Sequence, residues 1–579
     1  MSIIKAISIK NFRSIKELNW NPNPGLNCLI GSGDSGKSTV LDAIDFTLGA
    51  RRTYSFTDAD FFQMNTQQPI DIKITIGALA DELKNIELYG MFLRGFDNNT
   101  STISDEAQTP HEHVLTMRLT VHEDLEPDWT LYSDRADSEN YERRLSWKHR
   151  ELLTPAKLGA TSSHHLSWAK RSILNKLSED TLDVSSMLAG LSRQTRETFS
   201  QNSVAGVDNV LHKVQEIANS LGVPIRDVEA SLDVNGISIT NGAISVHNYD
   251  KTPLRQLGTG SSRLLISGLQ KAAGRSKILI VDEAEYGLEP YRITRLLNEL
   301  GSKDQQPSQQ VFITTHSPYV LRELQSHQLC VLRKLILPPP PTEIRLSHWI
   351  YKLGSSDDEQ STLRACAEAF FSKAVIVGEG STEVGLVKGI DLYLQDIGNQ
   401  GVQGQGAFCT DGSGGDKYFM RAEVFNSLGY PTAILKDSDI TDTAHLIRSQ
   451  SCRDKGISIF EWGHGLSTEG AIFSWCPLNV IPLLLNIAVS LNGEQKVHQH
   501  ILNKSNQQFS FEFCVASPQE SMRIMLASAA SDYKWFKNIS KAEEVTRKII
   551  GPYGTQFNSN FNRVLNELIA WVRQHGEVR

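Results

Sequence analysis

The sequence predicts an α/β protein with more than one domain, and three observations predict it. Short apolar runs alternate with segments whose apolar residues fall at helical spacing, the pattern of βαβ units around parallel strands. A glycine-rich turn, residues 31–38, stands between a strand-like run and a helix-like run. The chain has 579 residues, more than one hydrophobic core holds, so about two to four domains are expected.

The elements follow in order. Residues 3–9 and 26–30 read as strands. Residues 38–48 read as a helix, with Val40, Leu41, Ile44, Phe46 and Leu48 at helical spacing and Gly49 as its stop. Residues 70–76 and 114–121 alternate apolar and polar and read as strands, while 97–110 is polar and reads as a mobile loop. A helical pattern spans about 170–221, carried by Ile173, Leu174, Leu177, Val207, Val210, Leu211, Val214 and Ile217. It is too short for a long coiled coil and is expected to be a dimerisation or arm insertion over about 145–225. A helix starts behind a glycine-rich turn in 254–268, and 278–281 and 311–314 are short buried strands. Pro338 to Pro341 suit neither helix nor central strand, and the domain boundary is expected there, at about 340. Beyond it, 363–371 reads as helix, 374–377 as strand, 383–394 as helix and 432–435 as strand, a second α/β unit.

Composition narrows the class. Hydrophobic residues make up 40% and charged residues 21%, ordinary for a globular chain, and the net charge of −8 provides no global attraction to nucleic acid. A local basic patch would suffice for DNA, and Lys10, Arg13, Arg51 and Arg52 are candidates, against the plainer reading of a solvated surface. The seven cysteines are scattered, odd in number and without a Cys-x-x-Cys pair, so reduced thiols in a cytoplasmic protein are expected. No apolar run approaches the roughly 18 residues of a membrane span, and no membrane role is expected.

Four separated pieces can build one nucleotide site. Gly31-Ser-Gly33-Asp-Ser35-Gly36-Lys37-Ser38-Thr39 follows a strand and opens a helix, the context a phosphate loop requires. Its glycines let backbone amides turn toward phosphates at a helix N-terminus. Lys37 would neutralise phosphate charge and Ser38 would ligate Mg²⁺. Asp282 and Glu283 end the strand 278–281, placed to hold the Mg²⁺ shell and to polarise attacking water. His316, after the strand 311–314, can sense the γ-phosphate. Leu257-Gly258-Thr-Gly260-Ser261 is the least specific piece, because a glycine-rich helix start has the same composition.

The second constellation is acidic. Glu379 ends a strand, Gly380 turns the chain, and Glu383 opens a helix. Asp437 and Asp439 follow the strand 432–435 on an extended segment, where alternate residues face one side. Carboxylates at strand ends of a parallel sheet select hard cations such as Mg²⁺ or Mn²⁺, and two of them would serve in-line attack on a phosphodiester. Each pair alone is also a common surface arrangement.

The nucleotide pieces resemble the ABC-type ATPase head of SMC, RecF and similar DNA-maintenance proteins, and Ile9-Lys-Asn-Phe-Arg13-Ser14 resembles that group's first hairpin. The resemblance implies that Gly258 to Ser261 of one subunit complete the ATP site of another. The usual signature has Ser where this chain has Gly258, so that hydroxyl is missing. Gln63, Gln67 and Gln68 compete for the place of the head's usual Gln. The acids in this order resemble the TOPRIM domain of topoisomerases, primases and certain nucleases. Head plus TOPRIM resembles the OLD (overcoming lysogenization defect) family of ATP-dependent nucleases, which includes the Gabija nuclease subunit. That family carries a further metal-binding Glu, matched best by Glu469, and a late Lys, matched by Lys541 with Lys537 as competitor. It usually reads Val-Glu-Gly where Gly378 here precedes Glu379.

The resemblance implies an ABC/SMC-like head over residues 1–340, with its helical insertion, and a TOPRIM α/β domain over 341–579. It implies a DNA endonuclease using ATP and two Mg²⁺ or Mn²⁺ ions. Glu379, Glu383, Asp437, Asp439 and Glu469 would be ligands and Lys541 would stabilise the phosphate. It also implies a homodimer or higher oligomer through the head and insertion, a role in phage defence, and a helicase or retron partner. The competing expectation is a non-cleaving DNA-binding clamp of the RecF/SMC type acting in repair.

Overall fold

The computed structural model describes residues 2–107, 109–158, 190–191, 194, 253–273, 277–337, 345–440 and 442–576. The helical pattern at 170–221 and most of the expected insertion lie outside these residues.

Three sheets organise the described chain. The first is antiparallel and built around Ile3–Phe12, Ile70–Gly77 and Glu112–Val121. Ile70, Ile72, Ile74 and Ile76 are fully buried on one face, the strict alternation dictated by a period of two. Burying each contributes on the order of 2 kcal/mol before chain entropy is charged. The polar stretch expected as a loop over 97–110 contains a short strand, Thr102–Ser104, hydrogen-bonded back to Leu93–Asp97.

The second sheet carries the nucleotide pieces. Leu26–Ile30 lies between Gln310–Thr314 and Leu329–Leu337, parallel to both, and Ile278–Val281 flanks Gln310–Thr314. Every residue of Leu26–Ile30, Ile278–Val281 and Gln310–Thr314 is buried, as expected for parallel strands covered on both faces. Ala156–Leu158 adds the outer strand beside Ile278–Val281. Residues 156–158, which the sequence put inside the insertion, therefore belong to this sheet.

The boundary expected at about 340 falls between two paired strands. Leu329–Leu337 and Arg345–Lys352 pair antiparallel in this same sheet.

The third sheet is four-stranded and wholly parallel, in the order Ala407–Asp411, Ala374–Gly378, Thr432–Lys436, Ser458–Glu461. Helices Ser381–Asp396, Lys417–Ser427 and Thr443–Asp454 make the crossovers. The chain beyond residue 481 is helical in its ordered elements and packs with Trp462, Phe473 and Leu484 in one apolar core. A second core joins the second and third sheets, with Ile30, Ile313 and Val331 in the same cluster as Phe370, Val375 and Phe425. No single helix among the described residues is long and apolar enough to cross a membrane. All seven cysteines are buried and free.

Candidate functional site

The phosphate loop lies at the C-terminal end of Leu26–Ile30, and the helix Lys37–Leu48 leaves it directly. Gly36 has φ of 97°, a left-handed conformation that glycine adopts without strain. A Cβ on Gly31 would stand 2.4 Å from the Leu332 carbonyl oxygen, so that position must also stay bare. Lys37 is buried and donates from Nζ to the carbonyls of Gly31 and Ser32, each at 3.2 Å. Burial holds its pKa below the ordinary lysine value, while Asp282 and Asp34 pull the other way. Ser35 is buried with its Oγ unpartnered among the described residues. Gly33 and Ser38 face solvent, and Thr39 Oγ1 lies 3.3 Å from Ser14 Oγ.

The strand ends opposite are tied by side chains that the sequence reading missed. Thr314 Oγ1 donates to Asp282 Oδ1 at 2.5 Å and accepts the Glu283 amide at 2.9 Å. Glu283 is exposed with φ of 48°. Glu285 accepts from Thr315 Oγ1 at 2.6 Å and from the His316 amide at 2.7 Å, which fixes the His316 segment beside the Asp282 strand end. Gly260 and Ser261 lie in the first turn of the helix Thr259–Ala273. Two residues further on, Arg263 is buried and donates to the Asp282 and Tyr286 carbonyls, each at 3.1 Å. Ser261 Oγ accepts from Arg292 at 3.1 Å.

The acidic residues converge at the C-terminal edge of the third sheet. Glu379 follows its central strand and accepts the Asp437 amide at 3.0 Å. Glu383 is 3% exposed; its Oε2 accepts the Gly380 amide at 2.8 Å, reaching back across the helix start. Glu469, 4% exposed, accepts from Thr382 Oγ1 at 3.3 Å. Thr468 stands at the centre. Its Oγ1 is 2.7 Å from Glu383 Oε1 and 2.9 Å from Asp437 Oδ1, its amide donates to the same Asp437 oxygen at 2.8 Å, and Trp462 Nε1 donates to it at 2.7 Å. Asp439 is exposed and raises the pKa of both Glu379 and Asp437.

Burial and mutual repulsion shift all four inner acids upward. Glu379 is pushed up to about 7 by burial, then by Asp437 and Asp439. Glu469 is pushed up to about 7 by burial, with Asp437 adding to it. Glu383 and Asp437 are both raised, burial again the largest cause. The hydrogen-bond count agrees. A hydroxyl has one hydrogen, so Thr468 can donate to Glu383 or Asp437 but not to both. A proton on the other carboxyl group, the direction in which both pKa values are raised, would make the remaining contact a hydrogen bond.

The sequence choices fare unequally on basic residues. Lys541 Nζ donates to Asn492 Oδ1 at 2.6 Å. The charge of its competitor Lys537 lowers the pKa of Asp437 and of Glu469. Lys436, buried at 2% exposure and paired with Glu461 at 2.8 Å, lowers that of Glu379. The basic face expected from Lys10, Arg13, Arg51 and Arg52 is largely neutralised. Arg13 pairs with Asp42 and Asp60, Arg51 with Asp45, and Lys10 with Glu17.

The acidic donors suit a hard divalent cation: all are carboxylate oxygens, crowded and short of counter-charge. Among the described residues, however, no three His, Cys, Asp or Glu side chains stand together in metal-holding geometry. Their present bonds run to Thr382, Thr468 and backbone amides instead of to a common centre.

The phosphate loop on its parallel strands, with Asp282 at the end of the next strand but one, defines an ATPase domain. The chain belongs to the family described as "AAA domain, putative AbiEii toxin, Type IV TA system", which matches residues 26–322. It is 23% identical over 357 residues to the OLD nuclease of Thermus scotoductus (strain ATCC 700910 / SA-01), covering 57% of this chain and 62% of that protein. This chain thus spans about three-fifths of that relative's length. It is 34% identical over 65 residues to the DNA replication and repair protein RecF of Lactococcus lactis subsp. lactis (strain IL1403), covering 11% of this chain and 18% of RecF. Among solved structures it is similar to an SMC head bound to the C-winged helix domain of ScpA, at a TM-score of 0.32 and 14% identity, covering 61% of this chain and 98% of that one. It is also similar to the SMC head domain of Thermotoga maritima, at a TM-score of 0.29 and 13% identity, covering 61% and 99%.

Proposed function

We propose that this chain is an ATP-binding DNA endonuclease, dependent on Mg²⁺ or Mn²⁺ and gated by its ATPase domain. The same proposal divides the chain after Lys352, with a TOPRIM-type nuclease part beginning near residue 357. The observation that carries it is the crowding of Glu379, Glu383, Asp437 and Glu469 at one strand edge, with all four pKa values raised. Structural acids are normally placed to keep their charge; a set that resists ionisation is a candidate cation site. Similarity to an OLD nuclease supports the same reading.

In the ATPase part, the amides of Gly31, Gly33, Ser35 and Gly36 with Lys37 and Thr39 would hold the triphosphate, and Ser38 and Asp282 its Mg²⁺. Glu283 would polarise the attacking water and His316 would sense the γ-phosphate. Gly260 and Ser261 would reach the ATP of a second copy, making a homodimer the working unit. In the nuclease part, Glu379, Glu383, Asp437, Asp439 and Glu469 would hold cations that activate water and offset charge on the phosphodiester. Glu379, with its carboxyl near 7, is poised to exchange a proton at neutral pH. Thr468 orients Glu383 and Asp437, and Lys537 adds positive charge where the phosphate's charge grows. Lys541 is held by Asn492. A role in phage defence and a helicase or retron partner belong to this proposal and rest on the OLD resemblance.

Plasmid nicking with Mg²⁺ or Mn²⁺ tests it, comparing wild type with Glu379→Ala. Cleavage by wild type alone supports the metal assignment, and cleavage surviving the substitution overturns it. A second reading, a non-cleaving clamp of the RecF/SMC type, is favoured by the acids' present bonds to threonines. It predicts no nicking by either chain and DNA retention that depends on ATP.

A further inference from the structure

A cavity of about 260 Å³ lies away from both sites, at the far end of the helix that starts in the phosphate loop. It is lined by Arg51, Arg52, Arg144 and Arg150, by Asp128, and by Trp129 and Trp147. Trp129 fixes the wall to that helix by donating from Nε1 to the Phe46 carbonyl at 2.9 Å. Two arginines are spoken for: Arg51 pairs with Asp45 at 2.5 Å and Arg144 with Asp128 at 2.8 Å. Arg52 and Arg150 have no carboxylate partner among the described residues. Arg52 lies over the Trp147 ring, 5.5 Å from its centroid.

Arg150 is the unusual member. It is 8% exposed, and its Nε and one terminal nitrogen are buried without a hydrogen-bond partner among the described residues. Its guanidinium lies 4.5 Å from the Trp129 ring centroid, and burial together with Arg51 holds its pKa down at about 10. Stacking on Trp129 explains where the guanidinium lies but leaves two of its donors unsatisfied, which is costly in a buried cation. Those two nitrogens are shut off from solvent, so an anion in the cavity would meet the guanidinium at its other terminal nitrogen, and a phosphate suits that donor. The two indoles and the Arg52 plane offer flat faces for a ring system. The volume suits one such unit and excludes a duplex.

We propose that this cavity binds a nucleoside phosphate, its phosphate on Arg150 and Arg52 and its base against Trp147. The site is separate from the phosphate loop, and the inference does not depend on the nuclease reading. The twelve-residue helix between them is about 18 Å long. The ligand's source is a free nucleotide or the 5′-terminal nucleotide of a strand.

Titration calorimetry on the full chain carrying Lys37→Ala, which weakens triphosphate binding at the loop, tests this. The probes are dAMP, inorganic phosphate, and a short single strand with and without a 5′-phosphate. The expected result is binding of dAMP or the 5′-phosphorylated strand, with inorganic phosphate about tenfold weaker. Adding Arg52→Ala or Trp147→Ala, both at partly or fully exposed positions, is expected to weaken the nucleotide about tenfold; Arg150→Met, checked for folding by its melting curve, is expected to cost more. Preference for dAMP identifies a free nucleotide, and preference for the phosphorylated strand identifies a strand end. Absence of binding by both nucleotide probes overturns the proposal. So does phosphate binding as tightly as dAMP, or unchanged affinity in Arg52→Ala and Trp147→Ala.

Discussion

The Thr468 hydroxyl oxygen lies 2.7 Å from Glu383 Oε1. The same oxygen is 2.9 Å from Asp437 Oδ1 and accepts from Trp462, so one side chain sets the spacing of two acids more than fifty residues apart. Thr468→Val keeps the shape and removes the hydroxyl. It orphans the buried Trp462 donor and frees both carboxylates, and a loss of about 1–3 kcal/mol in stability is expected. Nicking is expected to fall about tenfold or more, because the acids are no longer held. Chemical denaturation and plasmid nicking read the two effects.

The raised carboxyls make stability pH-dependent in a definite direction. In the unfolded chain Glu379 and Glu469 titrate near the ordinary glutamate value of 4.5, and in the folded chain near 7. Between those values the folded chain binds more protons, so stability falls as pH rises through that window. With chelator present, the melting temperature is expected to drop between pH 5 and pH 8. Mg²⁺ or Mn²⁺, which binds the ionised acids, is expected to raise it more at pH 8 than at pH 5. Differential scanning at the two pH values, with and without metal, checks this.

Lys537 and Lys541 are four residues apart and differ in what they meet. Lys537 acts on Asp437 and Glu469, whereas Lys541 bonds Asn492. Lys537→Ala is expected to lower the cleavage rate about a hundredfold. Lys541→Ala is expected to change it less than about threefold, its main effect being a loss of up to about 1 kcal/mol in stability. Single-turnover nicking of the two variants separates them.

Glu285 holds Thr315 and the His316 amide. Glu285→Gln replaces one acceptor oxygen with a donor and releases one of the two. ATP turnover is expected to fall about tenfold, with ATP binding nearly unchanged, because Lys37 and its loop are not touched. A turnover assay beside a nucleotide-binding titration checks the split.

The sequence revealed what is local. The phosphate loop occupies one short segment between a strand and a helix, so its glycines, Lys37 and Ser38 could be read together. Glu379 and Glu383 could be read the same way, as a strand end followed by a helix start. Thr314, Glu285 and Thr468 were not legible, because a hydroxyl or acid that holds another residue carries no spacing signal of its own. Lys541 was chosen over Lys537 from resemblance; its Nζ donates to Asn492, distant in sequence, and a linear motif cannot record that. The prolines at 338–341 read as a boundary because proline breaks strands. The pairing of Leu329–Leu337 with Arg345–Lys352 around them is long-range information.

The claim on which the account rests is that Glu379, Glu383, Asp437 and Glu469 form a cation site. Anomalous diffraction from crystals of the full chain soaked in Mn²⁺ tests it most directly. The account expects Mn²⁺ at the C-terminal edge of the third sheet, bonded to Glu379 and Asp437, with Glu383 turned from Thr468 toward the ion. Mn²⁺ absent from that edge at a concentration that supports nicking would contradict it.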